Sequence, residues 1–93
     1  MNVLCSCVTF VSLVMGVHFP SWISTSDPHI HPGKAHVGEI VIFWQPLQSE
    51  WHVGIDEKDT TDGFYMASTN AHGCGLFLDY MSYSDPRYSG VWQ

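Results

Sequence analysis

The chain has 93 residues, nine of them acidic and three basic, and a formal net charge of -6. This length suits one domain, and an apolar fraction of 45% supplies enough side chains for one core. Because Lys and Arg are so few, no basic surface is available to neutralise phosphates. We therefore expect one globular domain over residues 1–93, with neither nucleic acid nor an anionic lipid surface as its partner.

The first predicted element is an apolar helix that begins at Cys7. Apolar side chains follow Cys7 at spacings of three and four, which predicts a helix buried on most of its circumference. Gly16 and Pro20 are expected to end it. Residues 3–19 have no preceding Lys or Arg, no small-residue cleavage pattern, and polar residues inside the stretch. A buried helix is therefore expected here, in preference to a signal peptide or a membrane span.

The rest of the chain predicts an antiparallel sheet. Turn residues without periodicity predict a loop over 21–33. Runs of β-branched and aromatic residues predict strands over 40–44, 51–55 and 64–69, a weaker strand over 76–80, and an edge strand over 88–93. The acidic stretch 56–62 predicts a hairpin loop whose carboxylates, Asp56 among them, are solvated. One helix followed by a meander of strands is an α+β arrangement.

Three cysteines, Cys5, Cys7 and Cys74, cannot form a closed set of disulfides. Cys5 and Cys7 are too close in sequence for an unstrained bridge, so any disulfide is expected to join one of them to Cys74. At least one thiol then remains free. Cys5 and Cys7 with the chain's His residues also suggest zinc, but structural zinc sites usually separate paired cysteines by two to four residues. We expect no metal.

The candidate chemistry depends on a thiol and an imidazole. Cys7 stands at the predicted start of the helix, where unpaired N–H groups and the macrodipole favour a thiolate. The same N–H groups could stabilise an oxyanion. His52, on the second predicted strand, is the candidate base. Trp51 and Trp44 are expected to line the substrate site.

Several segments carry a resemblance to a known family. Residues 7–11 read Cys-Val-Thr-Phe-Val, residues 38–43 Gly-Glu-Ile-Val-Ile-Phe, and residues 52–55 His-Val-Gly-Ile. Residues 64–68 read Phe-Tyr-Met-Ala-Ser, and the last segment, residues 88–91, reads Tyr-Ser-Gly-Val. In order and spacing these segments resemble NlpC-type cell-wall cysteine peptidases, whose corresponding segments include Cys-Ser-Gly-Phe-Val and an identical His-Val-Gly-Ile.

The resemblance implies a papain-like fold, in which an N-terminal helix carrying the cysteine packs on a small antiparallel sheet. It implies a hydrolase of amide bonds in peptidoglycan stem peptides, without a cofactor, located in the cell envelope, secreted or associated with a phage. Cys7 would be the nucleophile and His52 the base. Met66 occupies the usual place of the third catalytic residue, and a thioether cannot orient an imidazole as that residue would.

Strand alternation places two polar residues, Ser68 and Asn70, on the face of Met66. Asn70 is the preferred third catalytic residue, and Ser68 is the alternative. Two other functions stay open: a degenerate papain-like domain that binds a peptide or protein without turnover, and a thiol acyltransferase. A domain shortened at its N-terminus also stays open.

Overall fold

A computed structural model describes residues 2–20, 22–24, 26–45 and 50–93 of the chain. The elements in chain order are a 3-10 helix Val3–Cys5, helix α1 Cys7–Met15, and strands β1 Ile30–His31, β2 Ile40–Gln45, β3 Glu50–Asp59, β4 Gly63–Thr69, β5 Leu76–Ser82 and β6 Tyr88–Trp92. The strands form one antiparallel sheet in the order β1-β6-β2-β3-β4-β5. The predicted α+β class is confirmed.

Helix α1 begins and ends where its capping residues predict. The Ser6 side chain accepts a hydrogen bond from the N–H of Thr9, and Gly16 ends the helix in the left-handed region at φ 66°. The predicted burial of the helix is wrong. Val11 is its one fully buried residue, whereas Leu13 and Val14 are 69% and 58% exposed. The sheet covers only one side of α1, so the outer apolar side chains stay in contact with solvent.

Both faces of the sheet bury apolar side chains. The face that α1 covers contains Val11, Phe19, Ile23, Ile40, Ile42, Val53 and Ile55. The opposite face contains Ala35, Val41, Phe43, Phe64, Met66 and Val91. Because alternate residues of a strand point to opposite faces, β2 is buried on both sides. This explains its continuous apolar sequence.

Three details of the sheet differ from the sequence prediction. Strand β3 continues to Asp59, so the predicted hairpin loop over 56–62 is partly strand. Strand β6 is not at the edge: it lies between β1 and β2. The predicted loop over 21–33 contains β1, which pairs with β6. These differences arise from pairing between distant segments, which a local pattern of apolar residues does not encode.

Asp56 is the largest departure from expectation. Its side chain is fully buried, and neither carboxylate oxygen has a hydrogen-bond partner of good geometry among the described residues, although the Asp59 carboxyl and the Lys58 N–H are near enough to act on its pKa. The register of β3 with β4 places Asp56 opposite Met66, on the face away from α1. Burial, followed by the neighbouring Asp59 carboxyl, raises the pKa of Asp56 to about 7. The prediction of a solvated carboxylate is therefore wrong.

A disulfide joins the N-terminal segment to the sheet. It links Cys5 to Cys74, across 69 residues of sequence, and leaves Cys7 as a free thiol. This confirms the expected pairing with Cys74. The N–H of Gly75 also donates to the carbonyl of Leu4 at 2.8 Å. The start of α1 is thus held against the β4–β5 turn. None of the helices in the described ranges has both the length and the apolar character needed to cross a membrane.

Candidate active site

Cys7 is the first residue of α1, and the sheet fixes its position. The preceding residue, Ser6, caps the helix with its side chain and accepts a hydrogen bond on its carbonyl from Thr69 Oγ1 at 3.0 Å. The disulfide at Cys5 anchors the chain two residues earlier. The end of β4 therefore determines where the helix starts relative to β3.

The sulfur of Cys7 lies beside the backbone of β3. The backbone N–H groups of Val53, of Val8 and of Cys7 itself are near enough to act on the pKa of the thiol. The β3–β4 pairing starts at Ile55 and Ala67, which leaves the Val53 N–H available. Burial raises the pKa of the Cys7 thiol above its ordinary value, although these N–H groups act to lower it. Contrary to the expectation of a stabilised thiolate, desolvation is the larger effect and Cys7 keeps its proton at neutral pH.

His52 lies one residue before Val53 and is partly buried. Its Nε2 is 2.9 Å from the hydroxyl oxygen of Ser68, which is itself fully buried. Burial lowers the pKa of His52 below its ordinary value; the Asp79 carboxylate opposes this shift, and His72 and Arg87 add to it. His52 is therefore neutral at pH 7. With Nε2 bonded to Ser68, Nδ1 is the nitrogen left for a second partner.

Strand β4 provides the partner of His52. As predicted, Met66 and Ser68 lie on the face that carries His52: Met66 lines the same cavity and Ser68 makes the hydrogen bond. The preference for Asn70 is corrected in favour of Ser68. Strand β4 ends at Thr69, and Asn70 is exposed, has φ 64°, and closes a turn by donating its N–H to the carbonyl of Gly75. Strand alternation does not extend through such a turn.

The structure packs α1, which begins at Cys7, against β3, which carries His52, without a hydrogen bond between the two side chains among the described residues. Cys7 packs with the core cluster on the α1 face, whereas His52 lines a cavity on the other face. A backbone N–H points sideways from its strand, so the effect of the Val53 N–H on the thiol indicates that the sulfur is near the edge of β3. Within the described ranges, no hydrogen bond joins the thiol to the imidazole. Such bonds are often long before substrate binds.

Trp44 and Trp51 do not lie in the cavity beside His52. They form a cross-strand pair between β2 and β3, with ring centroids 5.1 Å apart. Trp51 packs on the α1 face, and its indole N–H donates to the carbonyl of Ile23. Among the described residues they act as packing groups on the opposite face. The expected substrate-binding role is thus not supported for this cavity.

The cavity beside His52 has a volume of about 210 Å³. Its lining residues are Gln45, His52, Met66, Ala71, His72, Asp79, Tyr80, Met81 and Arg87. His72 Nε2 is 3.1 Å from both carboxylate oxygens of Asp79, and Arg87 forms an ion pair with Asp85 at 2.7 Å. Sequence reasoning missed Asp79 and Arg87. They lie in β5 and in the turn after it, with no motif spacing to His52, and only the sheet brings them close.

In the part of the chain that the structure describes, no three His, Cys, Asp or Glu side chains lie together as a metal site requires. Comparisons with protein-family models, with curated proteins and with solved structures found no match. The function must therefore be argued from this chain's own side chains.

Proposed function

We propose that this chain is a papain-like cysteine hydrolase that cleaves amide bonds in peptidoglycan stem peptides or similar peptides. Cys7 is the nucleophile, His52 the general base, and Ser68 the residue that orients the base. The observation that carries the proposal is the hydrogen bond between His52 Nε2 and the hydroxyl of the buried Ser68, in a fold that also holds a free thiol, Cys7, at the start of a helix. A nucleophile, a base and an orienting group in series is the arrangement that acyl transfer needs.

The pKa directions define the protonation states at neutral pH. Burial raises the pKa of Cys7 and lowers the pKa of His52, so both groups are uncharged at pH 7. When Nε2–H donates to Ser68, Nδ1 holds the lone pair that can accept the thiol proton. The proton then moves from sulfur to Nδ1 as the sulfur attacks the carbonyl carbon. This is general-base activation of a thiol, without a preformed thiolate.

The start of α1 supplies donors for the oxyanion that forms during this attack. The N–H groups of Cys7 and Val8 are near enough to act on the thiol, while the N–H of Thr9 is already bonded to Ser6. Removal of one such donor in other enzymes slows the reaction by about 10²–10³-fold. The tetrahedral intermediate then expels the amine, which takes the proton from His52. A thioester on Cys7 remains for water to hydrolyse.

Digestion of purified peptidoglycan, with mass analysis of the released fragments, tests the proposal. We expect stem-peptide cleavage by the native chain, almost none by Cys7→Ser, and a loss of about 10²–10⁴-fold in His52→Ala. His36→Ala is the matched control, because His36 is exposed on the loop before β2. Equal hydrolysis by Cys7→Ser and the native chain would refute the mechanism.

A second candidate is a domain that binds a stem peptide without turnover. Two observations favour it: Cys7 makes no hydrogen bond to His52 within the described ranges, and burial raises rather than lowers the pKa of the thiol. The same digestion separates the candidates when a binding measurement accompanies it. Binding of a muropeptide without any cleavage would establish the second function and exclude the first.

A further inference from the structure

The position of the cavity relative to the two reacting groups suggests which part of a substrate it holds. The cavity is lined by His52, and Cys7 is not among its described lining residues. In acyl transfer the acyl group stays on the sulfur, and the leaving nitrogen takes a proton from the base. A cavity that contains the base but not the nucleophile therefore suits the amine side of the broken bond.

Arg87 lines this cavity, and its guanidinium is paired with Asp85. Its Nε and Nη2 donate to the Asp85 carboxylate at 3.1 and 2.7 Å, and its backbone N–H donates to the same carboxylate at 2.9 Å. Its carbonyl accepts from the N–H of Trp44 at 2.8 Å. A guanidinium has five N–H donors in a planar fork. Asp85 takes one edge, and no described residue bonds to Nη1, which is left to bind a carboxylate.

Asp79 gives the cavity a negative group. Both of its carboxylate oxygens are 3.1 Å from His72 Nε2, and its negative charge acts to raise the pKa of His52. An amine that has just taken the proton from His52 would therefore lie near an acidic side chain. The volume of about 210 Å³ is also below the roughly 300–1,000 Å³ of sites for drug-sized ligands. A part of the substrate of about one amino-acid residue suits this volume.

We propose that this cavity binds the leaving amino acid and that Arg87 binds its free carboxylate, so that the enzyme removes a residue from a carboxyl terminus. The inference rests on the proposed function and specifies its substrate. In the step concerned, the C–N bond breaks, the S–C thioester bond remains on Cys7, and the proton on Nδ1 of His52 passes to the leaving nitrogen. This step requires neither an oxidant nor a metal ion.

Paired substrates test the selectivity. The two substrates of a pair share the acyl group and the C-terminal alanine. In one substrate the alanine ends in a free carboxylate, and in the other it ends in a carboxamide. We expect the ratio of kcat/KM for the acid to that for the amide to fall about 10–100-fold in Arg87→Gln, the usual effect of losing one hydrogen bond to a charged group. Arg87→Lys should restore part of the ratio. Lys34→Gln removes the same charge from a different, exposed site and should leave the ratio as it is.

A binding experiment makes failure of the subsite distinguishable from failure of the hydrolase. Alanine and alaninamide are titrated into Cys7→Ala protein, with and without Arg87→Gln, and followed by amide chemical shifts in NMR. Preference for alanine that disappears in Arg87→Gln supports the subsite, even if the native chain cleaves no peptide and the hydrolase is excluded. Equal binding of the two compounds, or an acid-to-amide ratio unchanged by Arg87→Gln, overturns the subsite while leaving hydrolysis by Cys7 intact.

Discussion

Replacement of Asp56 by Asn should change how the stability of the fold depends on pH. Asp56 is fully buried between β2 and β4, and both carboxylate oxygens lack a hydrogen-bond partner of good geometry among the described residues. The neighbouring acids Asp59 and Glu39 oppose its ionisation further. An Asn side chain has nearly the same shape and cannot ionise. The substitution thus removes the charge and leaves the packing almost unchanged.

The size of the effect follows from the pKa. Burial raises the pKa of Asp56 from an ordinary value of 3.8 to about 7, and each pH unit between these values changes the free energy of unfolding by about 1.4 kcal/mol. In this range the folded chain keeps a proton that the unfolded chain has lost. Stability therefore falls as pH rises from about 4 to about 7, by up to about 4 kcal/mol, and is unaffected by this group below pH 4.

Urea unfolding at pH 4.5 and pH 8, followed by Trp fluorescence, measures this dependence. The native chain should lose stability towards pH 8, and Asp56→Asn should not show that loss. Asp62→Asn serves as the control, because Asp62 is exposed in the β3–β4 turn. The lowered pKa of His52 acts in the opposite direction below about pH 6.5, but equally in all three proteins. If Asp56→Asn and the native chain lose the same free energy between the two pH values, Asp56 is not ionising inside the fold.

Two further predictions concern the parts that position the site. Cys74→Ser removes a disulfide that spans 69 residues, and the chain-entropy model gives a loss of about 4 kcal/mol in the free energy of unfolding. Thermal unfolding measures this loss: a reductant should lower the midpoint temperature of the native chain and leave that of the variant unchanged. Ser68→Ala removes the partner of His52 and should lower hydrolysis by roughly 10-fold or more, whereas Asn70→Ala should change it little. An Asn70→Ala effect as large as that of Ser68→Ala would restore Asn70 as the third residue.

The elements that local chemistry determines were predictable from the sequence. The bounds of α1 follow from Ser6 and Gly16, which supply a cap oxygen and a left-handed residue at its two ends. The β-branched and aromatic residues of β2 likewise favour a strand, whichever strands lie beside it. The predictions that were wrong depend on contacts between distant segments. Strand β6 lies between β1 and β2 and not at the edge of the sheet, and the register of β3 with β4 buries Asp56. Neither pairing leaves a local pattern.

In the candidate site, too, the features set by local structure were predictable and those set by distant contacts were not. Alternation correctly placed Met66 and Ser68 on the face of His52, because that rule holds as long as a strand continues. It failed at Asn70 because the strand had ended one residue earlier. Arg87 was not predictable, since its approach to His52 depends on the turn between β5 and β6 and on the Asp85 carboxylate.

One physical cause, burial, links the stability of this small fold to the protonation states of Cys7 and His52. An ion pair of thiolate and imidazolium would place two charges in a partly dry site, and burial opposes each charge: it raises the pKa of Cys7 and lowers that of His52. A 93-residue chain has little core to spare, so the packing of α1 on β3 that buries Val11 and Val53 also desolvates Cys7 at the start of the helix. In the proposed mechanism the proton would then move during attack, when the backbone donors at the helix start can stabilise the negative charge that forms on the substrate oxygen. The packing that stabilises the fold therefore favours the uncharged forms of Cys7 and His52 in the free protein.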